Sequence, residues 1–330
     1  MERRRLGRNG LLVSRLGLGT MTWGRDTDEH DAAEQLRLFT DAGGTLVDTA
    51  AAYSDGDSER VLGSLLGTVV PRADLVVATK AGIVRSGAER SVDTSRRALL
   101  DELDRSLARL GTDHVDLWQV HTWSWEVPLE ETLAALDTAV ASGRTRYIGV
   151  SNYTGWQTAQ AATWQAAWPG RAPVASTQVE YSLLERGVER EVLPAAVELG
   201  LGVLAWSPLG RGVLTGKYRT GTPADSRAAS PHFTAFVDPY LTAEAQRVVT
   251  AVSTAAEGLG LAPLEVALAW VRDRPGVCAA LVGARSAAQL KGSLAAEDVE
   301  LPQEIRTALD EVSRPAGGYP EVGAHGRGQR

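Results

Sequence analysis

Four residues of different chemical type, Asp48, Tyr53, Lys80 and His121, each stand at or just past the end of a short apolar run. Asp48 and Tyr53 share Val47-Asp48-Thr49-Ala50-Ala51-Ala52-Tyr53. Lys80 closes Leu75-Val76-Val77-Ala78-Thr79-Lys80, and His121 closes His114-Val115-Asp116-Leu117-Trp118-Gln119-Val120-His121. A tyrosine hydroxyl ionises near pH ~10 and is a poor acid at neutral pH. An adjacent ammonium favours the phenolate and lowers that pKa. Lys80 can supply the charge, and Asp48 can keep Lys80 ionised and oriented. His121 can donate a hydrogen bond to a carbonyl oxygen as negative charge builds on it. The set suits protonating an oxyanion while a hydride arrives at its carbon. A metal is not expected, because the five histidines are scattered and no H-x-x-x-H or C-x-x-C spacing occurs. Gly210-Arg211-Gly212 lacks the Gly-Lys-Ser/Thr of a Walker loop.

Residues this far apart meet only if the elements carrying them end on one face. The chain alternates in the required way. Arg4 to Arg15 reads as a hairpin turning at Asn9-Gly10 and capping the bottom of a barrel. The first barrel strand is Arg15 to Gly19, with a helix from Asp28 to Ala42 ended by Gly43-Gly44. Strands follow at Thr45–Val47, Leu75–Thr79, Val115–Val120, Tyr147–Val150, Val174–Val179, Gly202–Trp206 and Val277–Val282, with helical patterns between them. The clearest helix is Thr94 to Leu110. There Leu99, Leu100, Leu103, Leu107 and Leu110 recur at three- and four-residue spacing before Gly111. Eight strand–helix units with continuous apolar strands imply an α/β fold, a (β/α)8 barrel whose strand ends carry the chemistry. A doubly wound sheet is disfavoured, because Gly17-Leu18-Gly19-Thr20-Met21-Thr22 lacks the third glycine of a dinucleotide fingerprint. A long excursion runs from Ser207 to about Tyr240 after the seventh strand, beyond the ~12–15 residues usual for a structureless loop, and is expected to be functional.

One barrel domain is expected over 1–330, with 1–15 as the cap and 315–330 as a loose tail. A net charge of −7 argues against a nucleic-acid or anionic-membrane surface. No run approaches the ~20 apolar residues of a membrane helix, and no signal peptide is read at the N-terminus, so a cytoplasmic protein is expected. The lone Cys278 lies in a strand and reads as a small buried hydrophobe.

On these residues the chain resembles an aldo-keto reductase, from Leu16 to about Leu294. Asp48, Tyr53, Lys80 and His121 match that family's catalytic tetrad one for one. The resemblance implies a barrel binding NADPH across its C-terminal face and an NADP-dependent oxidoreductase of the CH–OH class. It implies reduction of aldehydes or ketones with tyrosine as proton donor. It further assigns Ser151, Asn152 and Gln178 to the nicotinamide amide, whose donors and acceptor they can satisfy. Trp206 is assigned to stack on the ring, Ser207, Leu209 and Lys217 to the pyrophosphate, and Gly283, Arg285 and Gln289 to the adenosine phosphate. Gly19, Thr20, Met21, Asp48, Gly212 and Arg227 complete the implied cofactor set. Lys217 through Arg227 resembles the branch that contains the potassium-channel β subunits. Tyr53, His121, Trp23 and Trp123 are expected to line the substrate pocket, since tryptophan faces stack on sugar rings or flat carbonyl compounds. Two departures stand out: Gly292-Ser293 replaces the usual Glu-Asn, and Ser124 lies in Thr122-Trp123-Ser124-Trp125-Glu126 where related sequences have His-x-Trp-Asp.

Three functions remain open at this point: a carbonyl reductase for a small molecule, a channel-β-like subunit whose NADPH site senses redox state, and a reductase of a nucleotide-linked keto-sugar. The absence of a long segment before the hairpin favours an enzyme over a channel subunit. Oligomeric state is left open.

Overall fold

The computed structural model describes residues 1–86, 89–219, 221, 223, 229 and 234–318. In chain order the strands are β1 (Arg3–Arg5), β2 (Leu12–Ser14), β3 (Leu16–Gly19), β4 (Leu46–Asp48), β5 (Val76–Ala81), β6 (Ile83–Ser86), β7 (Glu89–Val92), β8 (Val115–Val120), β9 (Thr145–Ser151), β10 (Val174–Glu180), β11 (Gly202–Trp206) and β12 (Val277–Val282). The helices are α1 (Glu29–Asp41), α2 (Asp57–Leu65), α3 (Arg96–Leu110), α4 (Leu129–Ala141), α5 (Gly155–Ala166), α6 (Val192–Leu199), α7 (Thr234–Val237), α8 (Ala243–Leu259), α9 (Pro263–Arg272), α10 (Ala287–Leu294) and α11 (Gln303–Val312).

Eight parallel strands close into a barrel in the order β3-β4-β5-β8-β9-β10-β11-β12. Helices cover the outside. In α3, Leu99, Leu103, Leu107 and Leu110 are buried against it, Ser95 caps the start and Gly111, at φ 62°, ends the last turn. Inside, Leu46, Ala78, Leu117, Leu204 and Leu281 form a small apolar plug with Leu6 and Val13 of the hairpin, which closes the bottom. Side chains two residues further along a strand point the same way. From Leu46, Ala78, Leu117 and Leu204 this rule leads to Asp48, Lys80, Gln119 and Trp206. One more step along β8 reaches His121. The barrel therefore lifts Asp48, Lys80 and His121 above its apolar plug, and Tyr53 follows on the turn after β4.

Several details differ from expectation. The hairpin turns through Leu6 to Leu11, where Leu6 donates to the Leu11 carbonyl, and its left-handed residue is Gly7 at φ 70°, not Gly10. The Gly7 position is fixed from outside, since Arg8 N–H bonds the Gly200 carbonyl at the bottom of the barrel. The β6–β7 hairpin between β5 and α3 was not expected, nor was α11. The tail expected from 315 lies outside the described residues from 319 onward. Cys278 is buried, its thiol donating to the Arg5 carbonyl. Among the described residues no single helix is long and apolar enough to cross a membrane.

Candidate active site

The C-terminal ends of the strands surround a cleft of about 600 Å³, within the ~300–1,000 Å³ common for ligand sites. Asp48, Tyr53 and His121 line it, together with Ser151, Asn152, Trp206 and Arg285. Lys80 lies beneath, with its side chain fully buried. Its ammonium donates to Asp48 Oδ2 at 2.6 Å, to the Thr49 carbonyl at 2.8 Å and to Tyr53 Oη at 3.3 Å. Asp48 Oδ1 accepts from Gln178 Nε2 at 2.8 Å. The carboxylate is thus held from two sides of the barrel.

Tyr53 begins a turn in which Ser54 and Asp55 hold left-handed backbone, at φ 49° and 53°. Asn152, Ser207 and Arg211 are the only other non-glycine residues with positive φ among the described residues, and all line the cleft. Such strain persists only where surrounding contacts over-determine it, typically at ligand sites. For Asn152 those contacts are visible. Its Nδ2 donates to the His121 carbonyl at 2.9 Å, and its Oδ1 accepts from Trp206 Nε1 at 3.1 Å. His121 is pinned again by its own N–H to the Ala81 carbonyl at 2.8 Å. Its ring meets the Tyr53 ring edge-on at 5.9 Å, and its Nδ1 has no hydrogen-bond partner among the described residues.

Electrostatics set the protonation states. Burial pushes the Tyr53 phenol above its ordinary value; the Lys80 charge pulls it down, the Asp48 carboxylate pushes back, and the net direction is up. Lys80 does lower the phenol, as expected, by its charge and by its hydrogen bond, but burial is the larger cause and Asp48 adds to it. Burial works against the Lys80 ammonium, but Asp48 and the Tyr53 oxygen outweigh it, and its pKa is raised. Burial first, then the Lys80 and Arg90 charges, hold His121 well below the usual histidine range. At neutral pH the site is a protonated phenol, a lysine cation paired with a carboxylate, and a neutral imidazole. That arrangement can donate a proton and a hydrogen bond to one oxygen.

Of the other residues singled out in the sequence, Gly19, Met21, Gln178, Ser207, Leu209, Gly212, Lys217, Gly283 and Gln289 also line the cleft. Gln178 does so with its amide nitrogen already given to Asp48. Thr20 is turned away and fully buried, its hydroxyl bonding the Asp48 carbonyl and Ser58. Thr22 takes its place in the wall. Trp23 is fully buried, donating to Gln35 of α1 at 3.2 Å, and is a core residue rather than a pocket wall. Trp123 does not line the cleft; it packs edge-on against Trp125, Tyr153 and Trp156 in an aromatic ledge at the rim. Within that loop Ser124 Oγ accepts from the N–H groups of Glu126 and Val127. Arg227 lies outside the described residues. Ser293 lines the cleft where the family pattern has asparagine.

Sequence reasoning missed Arg25, Arg90, Arg211 and Phe236 in the wall. Arg211 forks onto Glu180 at 2.8 and 2.6 Å and lies over the Phe236 ring at 4.0 Å. It fastens α7 beside Trp206, whose ring is near-parallel to that of Phe236 at 6.5 Å. Only its place between Gly210 and Gly212 marked it in the sequence.

A closed parallel barrel with this cluster at its C-terminal mouth defines a class, and comparison with known proteins gives the same one. The model of the aldo/keto reductase family matches residues 15–314, and the chain belongs to that family of oxidoreductases. It is 37% identical to the "Uncharacterized oxidoreductase YrpG" of Bacillus subtilis (strain 168), over 98% of this chain and 99% of that one. It is 33% identical to "Aldo-keto reductase YhdN" of the same organism, over 96% of each. It is also 34% identical to the "Probable voltage-gated potassium channel subunit beta" of Oryza sativa subsp. japonica, over 94% of this chain and 95% of that one.

Proposed function

We propose that this chain reduces an aldehyde or ketone to an alcohol, with NADPH supplying the hydride when bound and Tyr53 supplying the proton. The observation that carries the reading is the Lys80 ammonium, buried between Asp48 and the Tyr53 hydroxyl beneath the cleft. Tyr53 gives its proton to the carbonyl oxygen. The phenolate left behind faces Lys80, and Asp48 keeps that lysine charged. Neutral His121 offers an N–H to the same oxygen and adds no charge of its own. Tyr53 then regains a proton from solvent.

The residues present fit a nicotinamide dinucleotide. Trp206 presents an indole fixed through Asn152, and Lys217 and Arg285 place cations elsewhere in the same cleft. Ser151 and Asn152 would hold the amide. Gln178 would join them through its Oε1, since its Nε2 is given to Asp48. NADPH consumption across aldehydes, diketones and nucleotide-linked keto-sugars tests the reading and separates the substrate classes. A redox-sensing binding role draws on the likeness to channel β subunits. It would show as NADPH binding without turnover and co-purification with a membrane partner.

Arg285 is half-buried just past β12, where barrel folds often bind phosphate. An arginine fork suits the 2′-phosphate that distinguishes NADPH from NADH. A charge-assisted bond is worth roughly 1.5–3 kcal/mol, and each ~1.4 kcal/mol is tenfold. Arg285→Ala is expected to weaken NADPH at least about tenfold and barely change NADH, read by titrating both dinucleotides. Equal losses would assign Arg285 to something other than the 2′-phosphate.

The protonation states also set a pH profile. Tyr53 is held above the ordinary tyrosine value and His121 below the ordinary histidine value. Reduction is expected to stay level through neutral pH, falling only above the usual tyrosine range or below the usual histidine range. Asp48→Asn removes the upward push on Tyr53 and the support for the Lys80 cation. Both changes bring deprotonation at lower pH, so the basic limb should move down. A basic limb that stays in place in this variant would show that Asp48 does not set these states.

A further inference from the structure

Arg90 lies on β7, in the hairpin that leaves β5 just after Lys80. It lines the same cleft as Tyr53 and His121. Its side chain is exposed. The other arginines of the wall that come from elsewhere in the barrel are visibly employed. Arg25 pairs with Asp26 at 2.8 Å, and Arg211 pairs with Glu180 at 2.6 Å. Arg285 also has an interaction of its own. The Arg90 guanidinium has no hydrogen-bond or ion-pair partner among the described residues.

Its place in the barrel separates it from the cations assigned to the dinucleotide. Going round the closed sheet from β5 through β4, β3 and β12 to β11, β5, the barrel strand from which Arg90's hairpin leaves, is diametrically opposite β11. Lys217 follows β11 and Arg285 follows β12. Arg90 therefore enters the cleft on the hairpin that follows β5, apart in the barrel order from the strands that precede Lys217 and Arg285. Its charge reaches both catalytic rings, acting to lower Tyr53 and His121.

We infer that Arg90 is an anion-recognition residue for the substrate, and that the preferred substrates carry a carboxylate or phosphate beside the reducible carbonyl. The inference rests on the reductase reading and narrows it. A planar guanidinium donates two parallel hydrogen bonds to either group. An exposed, unpaired fork at the mouth also raises the local concentration of anionic substrates.

The test uses matched pairs with NADPH: para-carboxybenzaldehyde against the methyl ester of para-formylbenzoate, and glyceraldehyde phosphate against glyceraldehyde. The wild type should prefer the charged member of at least one pair, and which pair tells carboxylate from phosphate. In Arg90→Gln the charged-to-neutral ratio of kcat/KM should fall at least about tenfold, mainly through KM. Arg90→Lys should recover part of that ratio, since it keeps the charge and loses the fork. Because Arg90 is exposed, its replacement should not disturb folding. Turnover of the neutral members with no preference for the charged ones would overturn the inference and leave the reductase reading standing. So would equal loss on both members in Arg90→Gln, which marks a general electrostatic effect. No consumption of any member would overturn the reductase reading, and this inference with it.

Discussion

Tyr53→Phe lowers carbonyl reduction by about 10²–10⁴-fold, the usual range for removing a positioned general acid, and leaves NADPH binding close to wild type. The substitution deletes one hydroxyl and keeps the ring that meets His121 edge-on at 5.9 Å. The cleft wall therefore survives. Lys80 loses only its 3.3 Å contact and keeps Asp48 and the Thr49 carbonyl. Neither water nor His121 replaces the proton well. His121 is neutral, and its N–H is a far weaker acid than a phenol facing a lysine cation. Single-turnover rates and a dinucleotide titration on the same protein separate chemistry from binding. Near-normal turnover in Tyr53→Phe would remove tyrosine from the role of proton donor.

Lys80→Met is expected to damage both stability and activity. The two charges of the Asp48–Lys80 pair lie 2.6 Å apart, with side-chain exposures of 4% and 0%. Removing one partner of a buried pair leaves an uncompensated charge and costs about 3–5 kcal/mol. Activity suffers separately. Without the ammonium, burial and Asp48 both push the Tyr53 phenol up, and only the weaker pull of the Arg90 charge opposes them. The double variant Asp48→Asn with Lys80→Met distinguishes the two effects. It removes the stranded charge, and it keeps an oxygen that can accept from Gln178. Much of the lost stability should return in denaturant unfolding, while reduction stays low. A single Lys80→Met protein with an unchanged unfolding midpoint would contradict the burial argument. One with wild-type turnover would show that Lys80 does not serve the acid.

The sequence made the barrel and three of its four chemical residues, Asp48, Lys80 and His121, readable for one physical reason. Strand periodicity is two, so Leu46 predicts where Asp48 points and Leu117 predicts where His121 points. Packing against the barrel also leaves a clear stripe on α3. Loops carry no such rule. Thr20 and Thr22 are two residues apart after β3, yet one is turned into the core and the other faces the cleft. Trp23 was expected in the pocket from its ring alone, but Gln35 on α1 holds it inside. Gln178 shows a subtler limit. The register slips between Val174 and Ser176, and Gln178 reaches Asp48 across the barrel while Val179 packs outside. No local pattern announces that slip. The β6–β7 hairpin is short and polar, without the alternation that marks a half-buried strand. It was therefore missed, and Arg90 with it. The α11 helix did leave a signal, with Ile305, Leu309 and Val312 at helical spacing after Pro302.

The most direct measurement follows deuterium from NADPH labelled at the nicotinamide C4 into an aldehyde, with wild type and Tyr53→Phe side by side. The account expects one labelled alcohol for each NADPH consumed by the wild type, with the label on the former carbonyl carbon. Tyr53→Phe should bind the labelled dinucleotide and yield little or no product. Dinucleotide bound by the wild type with no label transferred to any carbonyl compound would contradict the account, and would mark the cleft as a binding site rather than a catalytic one.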